Sequence, residues 1–235
     1  MSQPDSDVFP PAASSSGGKG WIGMILGIVG VLVAVLYLGR MAVSTLPKPP
    51  LPVLAPAWTG SLTLTERDGK ARILPDMLRG KVTVCASLYT VCPHGCAAII
   101  AEMRKLNEAH RSHPDFQQLS LALAPERDTA SFLQSYAEGI GVKPGDPWWF
   151  LTGPQQGVWD YLTQAQKLEA PRLIPEEKRL NTLDFYEHDL RIVVLDRQGR
   201  VRGYYSVFHP QPEITETMTK KLARDVERLL ENPAD

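Results

Sequence analysis

Residues 21 to 38 form one unbroken apolar run without a charged side chain. At about 1.5 Å of rise per residue, a helix of that length crosses a bilayer core of roughly 30 Å. Its Leu, Ile and Val residues each favour insertion by a few tenths of a kcal/mol. The pattern predicts a transmembrane anchor over residues 21–39. A secretory signal peptide is the competing reading, with Ala42-Val43-Ser44 resembling a cleavage site. Signal peptides, however, carry a shorter apolar region of about 7 to 15 residues. Residues 1–20 are rich in Ser, Gly, Pro and Asp, with Val8 and Phe9 as their sizeable apolar residues, and predict a disordered tail. Residues 40–58 carry Pro47, Pro49, Pro50, Pro52 and Pro56 and predict a stiff linker that holds the rest of the chain away from the membrane.

From Gly60 onward, short alternating runs take turns with helical spacings. Residues 62–64 and 72–74 flank Asp68-Gly69 and predict a hairpin. The apolar run 82–89 predicts a buried strand. Residues 97–110 place Ile99, Ile100, Met103 and Leu106 on one helical face. A strand over 116–124, a helix over 129–140, a short strand over 148–151 and a helix over 154–167 follow. A second hairpin, 190–196 and 201–207, turns at Gln198-Gly199, and an amphipathic helix over 214–230 closes the chain. Strands alternating with helices predict an α/β fold for residues 59–235, with its sheet covered on both faces. A cysteine-bearing turn after an early strand is where a thioredoxin-like fold places its reactive group.

Composition narrows the function. The chain has 25 basic and 26 acidic residues, with no basic stripe, which argues against nucleic acid as a partner. Lys19 on one side of the apolar run, and Arg40 and Lys48 on the other, do not set its orientation. Three cysteines are too few for a disulfide framework. Cys85 falls inside a predicted strand and reads as a small core residue.

Cys92 and Cys96 sit four apart at the junction of strand 82–89 and helix 97–110. That places both sulfurs near the positive end of a helix dipole, which favours thiolate over thiol. At i and i+4 they can share one face of a first helical turn. Two soft thiolates select Cu(I) over hard cations. The same pair can also exchange with a disulfide, Cys92 attacking and Cys96 resolving. His94, between them, reads either as an auxiliary ligand or proton relay or as an exposed loop residue. His110, His113 and His209 lie in polar surroundings and read as solvated. The Glu126-Arg127-Asp128 run reads as a site rim or a solvated loop.

The ordered motifs resemble the Sco/SenC family of membrane-anchored, thioredoxin-fold copper carriers. Residues 62–65 with Asp68-Gly69 are similar to the family's opening hairpin, and Gly80-Lys81-Val82 to the approach to its first core strand. Tyr89-Thr90 followed by Cys92-Pro93 and Cys96 resembles its copper loop. Pro125-Glu126-Arg127-Asp128-Thr129 with Tyr136-Ala137-Glu138, and then Trp149 with Leu151-Thr152-Gly153, resemble further markers. His188, ahead of Ile192 to Leu195, Asp196 and Gly199, is similar to the segment bearing the family's histidine ligand. Two positions depart from the family pattern. His94 stands where an acidic residue is usual, and Ala97 where a proline is usual.

The resemblance implies a copper site formed by Cys92, Cys96 and His188, with Asp189 as a candidate to orient the imidazole or as a surface residue. It implies a metallochaperone that delivers copper to a cytochrome c oxidase subunit or another copper-accepting protein. The implied location is a bacterial inner membrane with the C-terminal domain in the periplasm. A mitochondrial inner membrane is the second reading, but the tail has no Arg-rich transit pattern. Two other functions stay open. One is a membrane-tethered thiol-disulfide oxidoreductase using Cys92 and Cys96 as catalytic residues. The other is a copper- or redox-sensing binding module.

Overall fold

A computed structural model describes residues 18–44 and 49–232. The first helix, α1 (Gly18–Ser44), contains the apolar span Trp21–Met41, which is long and apolar enough to cross a membrane. Its large apolar side chains, Leu36 and Tyr37 among them, are exposed to the surroundings. The helix continues five positions past residue 39, where the spacer was expected to begin; Arg40, Met41 and the small residues after them keep helical geometry. Of the tail expected over 1–20, residues 18–20 instead belong to α1, and 1–17, like the linker residues 45–48, lie outside the described residues.

The second unit runs from Pro50. Its strands and helices follow the pattern in the sequence. Hairpin β1 (Leu62–Glu66) and β2 (Ala71–Leu74) turns at Gly69, whose φ of 81° suits glycine. Strand β3 (Val82–Leu88) leads to helix α2 (Cys96–His110), then β4 (Phe116–Ala122), α3 (Ala130–Gly139) and β5 (Trp148–Thr152). Thr129 caps α3 by accepting a hydrogen bond from Phe132 N at 3.3 Å. After β5 come α4 (Gln155–Asp160), the two-residue strands β6 (Arg172–Leu173) and β7 (Tyr186–Glu187), hairpin β8 (Ile192–Leu195) and β9 (Val201–Tyr205), and α5 (Pro212–Glu231).

Seven strands form one sheet in the order β2-β1-β5-β4-β3-β8-β9. Its centre, β5-β4-β3, is parallel, while both flanks are antiparallel. Alternation along β3 divides the core. Val82, Val84, Ala86 and Leu88 face the layer of α2, α3 and α5, where they meet Met103, Leu133 and Val226. Cys85 faces the other layer, with Tyr89, Val158 and Tyr161. Because side chains alternate with period two, Ser87 points to the same face as Cys85. That face carries the site.

Two expectations need correction. The single helix expected over 154–167 is α4 followed by a π-turn, Tyr161–Ala165, in which Gln166 N bonds to Tyr161 O at 3.2 Å. The wider turn aims Gln166 at the Cys85 sulfur, 3.0 Å away. Residues 51–58, read as part of a free spacer, instead lie on the domain. Leu54 N bonds to Val201 O at 2.8 Å, and Val201 N bonds to Ala55 O at 3.0 Å. Arg202 donates to Leu51 O, and Trp58 meets Tyr161 edge-on with ring centroids 5.1 Å apart. Proline lacks only its own N–H, so the extended backbone between Pro52 and Pro56 can still pair with a sheet edge.

Candidate metal centre

The chain leaves β3 at Leu88 and turns through Tyr89-Thr90-Val91 before α2 begins at Cys96. Thr90 donates its hydroxyl to the buried Asp128 carboxylate, which ties this turn to the loop before α3. Burial holds the Asp128 carboxyl above the usual carboxylate range, and its second oxygen has no hydrogen-bond partner. Gly95 precedes α2 where a Cβ would fall 2.5 Å from the Phe208 ring, so the turn passes close beneath that side chain. Cys92 is half-buried and Cys96 is 5% exposed.

His188 follows β7, 92 positions after Cys96, and its Nε2 stands 3.4 Å from the Cys96 sulfur. The ligand atoms of Cys92, Cys96 and His188 all lie within 4.8 Å of one another. The structure thus brings together the three residues expected to bind metal. Ser87 Oγ lies 3.1 Å from His188 Nδ1, and the Asp189 backbone carbonyl lies 3.0 Å from both atoms. A carbonyl only accepts, so Nδ1 carries the proton and the Nε2 lone pair faces the sulfurs. This is the arrangement a metal-ligating imidazole needs.

Asp189 therefore orients the histidine through its backbone. Its carboxylate is engaged elsewhere, accepting from Arg191 Nε at 2.9 Å and from Glu169 N at 3.1 Å. Ser87 was not singled out in the sequence, although its place on the Cys85 face of β3 signals that it can reach the site.

The two thiols have opposite tendencies. A hydrogen bond from Cys96 holds the Cys92 thiol far below the usual thiol range, with further support from the backbone N–H groups of Gly95 and Cys96. The Cys92 sulfur, together with burial, pushes the Cys96 thiol up. Cys92 is the accessible thiolate and Cys96 keeps the proton. A metal ion that takes both sulfurs must displace that proton. Two sulfurs and one imidazole nitrogen form a soft donor set suited to copper. Among the described residues no fourth Cys, His, Asp or Glu joins the group, whereas a closed zinc site takes four ligands.

The remaining candidates fall outside the ligand group. His94 is not part of the ligand group, and its Nε2 donates to Asp184 Oδ1 at 2.9 Å. His110 is partly buried against Phe116, and His113 Nδ1 accepts from Asp115 N; neither lies at the centre. His209 Nδ1 accepts from Gln211 N. Glu126 accepts from the Tyr186 hydroxyl at 3.3 Å, while Asp128 is buried and so is not part of a solvated loop. Cys85 is fully buried, and burial pushes its thiol up to about 12. A cleft of about 710 Å³ opens beside the ligands, lined by His94, Ile174, Lys178, Glu187, His188 and Leu190.

Comparison with known proteins agrees with this architecture. No curated protein matches the chain. A SCO1/SenC family lipoprotein from Bacillus anthracis str. Ames is 23% identical, with a TM-score of 0.61 over 76% of this chain and 96% of that one. ScoI of Bradyrhizobium japonicum, solved with copper bound, is 22% identical, with a TM-score of 0.56 over 72% of this chain and 98% of that one. BsSco, described as a member of the Sco family of cytochrome c oxidase assembly proteins with a disulfide switch, is 21% identical, with a TM-score of 0.60 over 77% and 98% of the two chains. These likenesses establish the thioredoxin-like Sco fold. The sequence itself matches the SCO1/SenC family over residues 54–223, most of its length, and the chain belongs to that family.

Proposed function

We propose that this protein is a membrane-anchored copper carrier. It captures one copper ion through Cys92, Cys96 and His188 and passes it by ligand exchange to a cytochrome c oxidase subunit. The observation that carries the reading is the group of two sulfurs and one imidazole nitrogen within 4.8 Å. The copper-bound Bradyrhizobium relative and the oxidase-assembly role given to BsSco support it. In this reading the apolar span anchors the chain in a bacterial inner membrane and the folded unit works in the periplasm.

Copper is the cargo, and three ligands leave room for an acceptor's sulfur or nitrogen to enter before one of the chain's own ligands departs. Cys92, the more exposed sulfur, is the natural first to leave. The test is a Cu(I) titration of the reduced full-length chain in detergent against a competing chelator. One copper per chain, lost in Cys92→Ser, Cys96→Ser and His188→Ala, supports the assignment. Tight binding that survives any of the three substitutions overturns it.

A second reading rests on the asymmetry of the thiols. The Cys92 thiolate attacks a partner disulfide, forming a mixed disulfide and releasing one partner thiolate. Cys96 then attacks Cys92, forming the intramolecular disulfide and releasing the second partner thiol. The partner gains two electrons and the chain loses two. This reading predicts single-turnover reduction of a disulfide substrate that persists in His188→Ala and disappears in Cys92→Ser.

A further inference from the structure

His188 reaches the cysteines from the end of a segment with little regular structure. Between β6 and β7 the chain folds largely on itself. Arg179 Nε donates to Ile174 O, Leu183 N donates to Asn181 Oδ1 at 2.8 Å, and the Arg179 guanidinium covers the Phe185 ring at 4.7 Å. Leu180 and Leu183 are exposed, as is Leu173 on β6. A flap built this way has little apolar burial of its own to hold it against the sheet.

Two side chains of the cysteine loop tie it down. Tyr89 donates its hydroxyl to Leu183 O and receives Phe185 N at 3.5 Å. His94 Nε2 donates to Asp184 Oδ1 at 2.9 Å. Asp184 is fully buried, and its other oxygen accepts from Leu180 N at 2.9 Å, so one carboxylate joins the flap's own turn to the cysteine loop. A carboxylate only accepts, so the imidazole Nε2–H is the donor of this bond. His188 lies four positions beyond Asp184 and two positions beyond Tyr186, which packs edge-on against Tyr89.

From this arrangement we infer that His94 is a positioning residue: it latches the flap through Asp184 so that His188 stays beside Cys92 and Cys96 when no metal is bound. The inference deepens the copper-carrier reading and rests on it for its effect on affinity. It also gives a role to a histidine within the cysteine loop that stands outside the ligand group. With the third ligand already in place, binding avoids the cost of ordering the flap.

The test uses the full-length chain in detergent. In the metal-free protein, His94→Ala is expected to speed amide hydrogen exchange at Leu180 and across residues 183–187. It is expected to weaken Cu(I) binding by about 10- to 100-fold, the range for lost support of a metal ligand. The absorption envelope of the copper-loaded protein stays that of the wild type. His94→Gln, whose side-chain amide can still donate to Asp184, restores both the exchange rates and the affinity. Unchanged exchange, or unchanged affinity, overturns the latch. A changed absorption envelope makes His94 a ligand and overturns it as well. Copper binding that survives His188→Ala overturns the carrier reading instead, and the exchange measurement then decides the latch alone.

Discussion

Ser87 Oγ stands 3.1 Å from His188 Nδ1, although 101 positions separate the two residues. The hydroxyl also reaches the Asp189 carbonyl at 3.0 Å, which fixes the peptide beside the imidazole. Ser87→Ala removes both contacts and leaves every ligand in place. Supporting groups of this kind are worth about 10- to 100-fold in metal affinity. The expected result is a weaker Cu(I) competition constant in that range, with a melting temperature close to that of the wild type.

Thiol reactivity should separate the three cysteines. Cys92 is held as thiolate mainly by the hydrogen bond from Cys96, so its deprotonated fraction hardly changes near neutral pH. An ordinary thiol, with a pKa of about 8.5, gains nearly tenfold in reactive fraction for each pH unit below that value. Alkylation of Cys92 by iodoacetamide is therefore expected to be nearly flat from about pH 6 to about pH 8. Cys96→Ala removes the donor, raises the Cys92 pKa and restores a rate that climbs with pH. Cys85, with its thiol pushed up to about 12 by burial, is expected to react only after denaturation. Mass spectrometry of quenched samples reads all three.

Asp196 is 1% exposed and serves four donors: Gln198 N, Arg200 N, Arg200 Nε at 2.7 Å and Arg202 Nη1 at 2.8 Å. Removing one partner of a buried ion pair is destabilising by about 3–5 kcal/mol. Asp196→Ala is expected to lower the denaturant midpoint by a corresponding amount. Arg202 also donates to Leu51 O, so the same variant should loosen residues 51–58. Faster exchange at Leu54 N would report that loosening.

A Cβ at Gly203 would lie 2.2 Å from the Tyr205 hydroxyl and 2.5 Å from its ring. Tyr205 is buried and donates to Asp225 at 2.8 Å, so the ring has little freedom to give way. Gly203→Ala is expected to cost about 1–3 kcal/mol, as overpacking of a filled core does. The effect should vanish in the background of Tyr205→Leu, whose shorter side chain leaves the space open. Denaturant melts of the four proteins in that cycle decide it.

Long strands and helices were legible because each carried its own pattern of burial. The unbroken apolar run over β3 reflects burial on both faces, the i, i+3, i+4 spacing over α2 reflects burial on one, and both elements stand where the pattern put them. The cysteine pair was legible from its place between them. His188 was legible through family resemblance alone, since no local pattern links a residue to a partner 92 positions away. The partner of His94 could not be read from the sequence. Asp184 lies among two-residue strands and turns, where side-chain hydrogen bonds replace periodic burial as the organising force. Residues 51–58 were misread because proline content signals extension without saying whether an extended chain stands free or lies along a sheet edge.

β9 ends the sheet, and an uncovered edge strand offers its N–H and C=O groups to any other strand. The paired bonds between Leu54, Ala55 and Val201 occupy those groups at the start of β9. A soluble fragment cut at Trp58 would bare this edge and invite chains to pair with one another, whereas a fragment beginning at Pro50 keeps its own cover. Residues 50–58 thus act as a guard against aggregation.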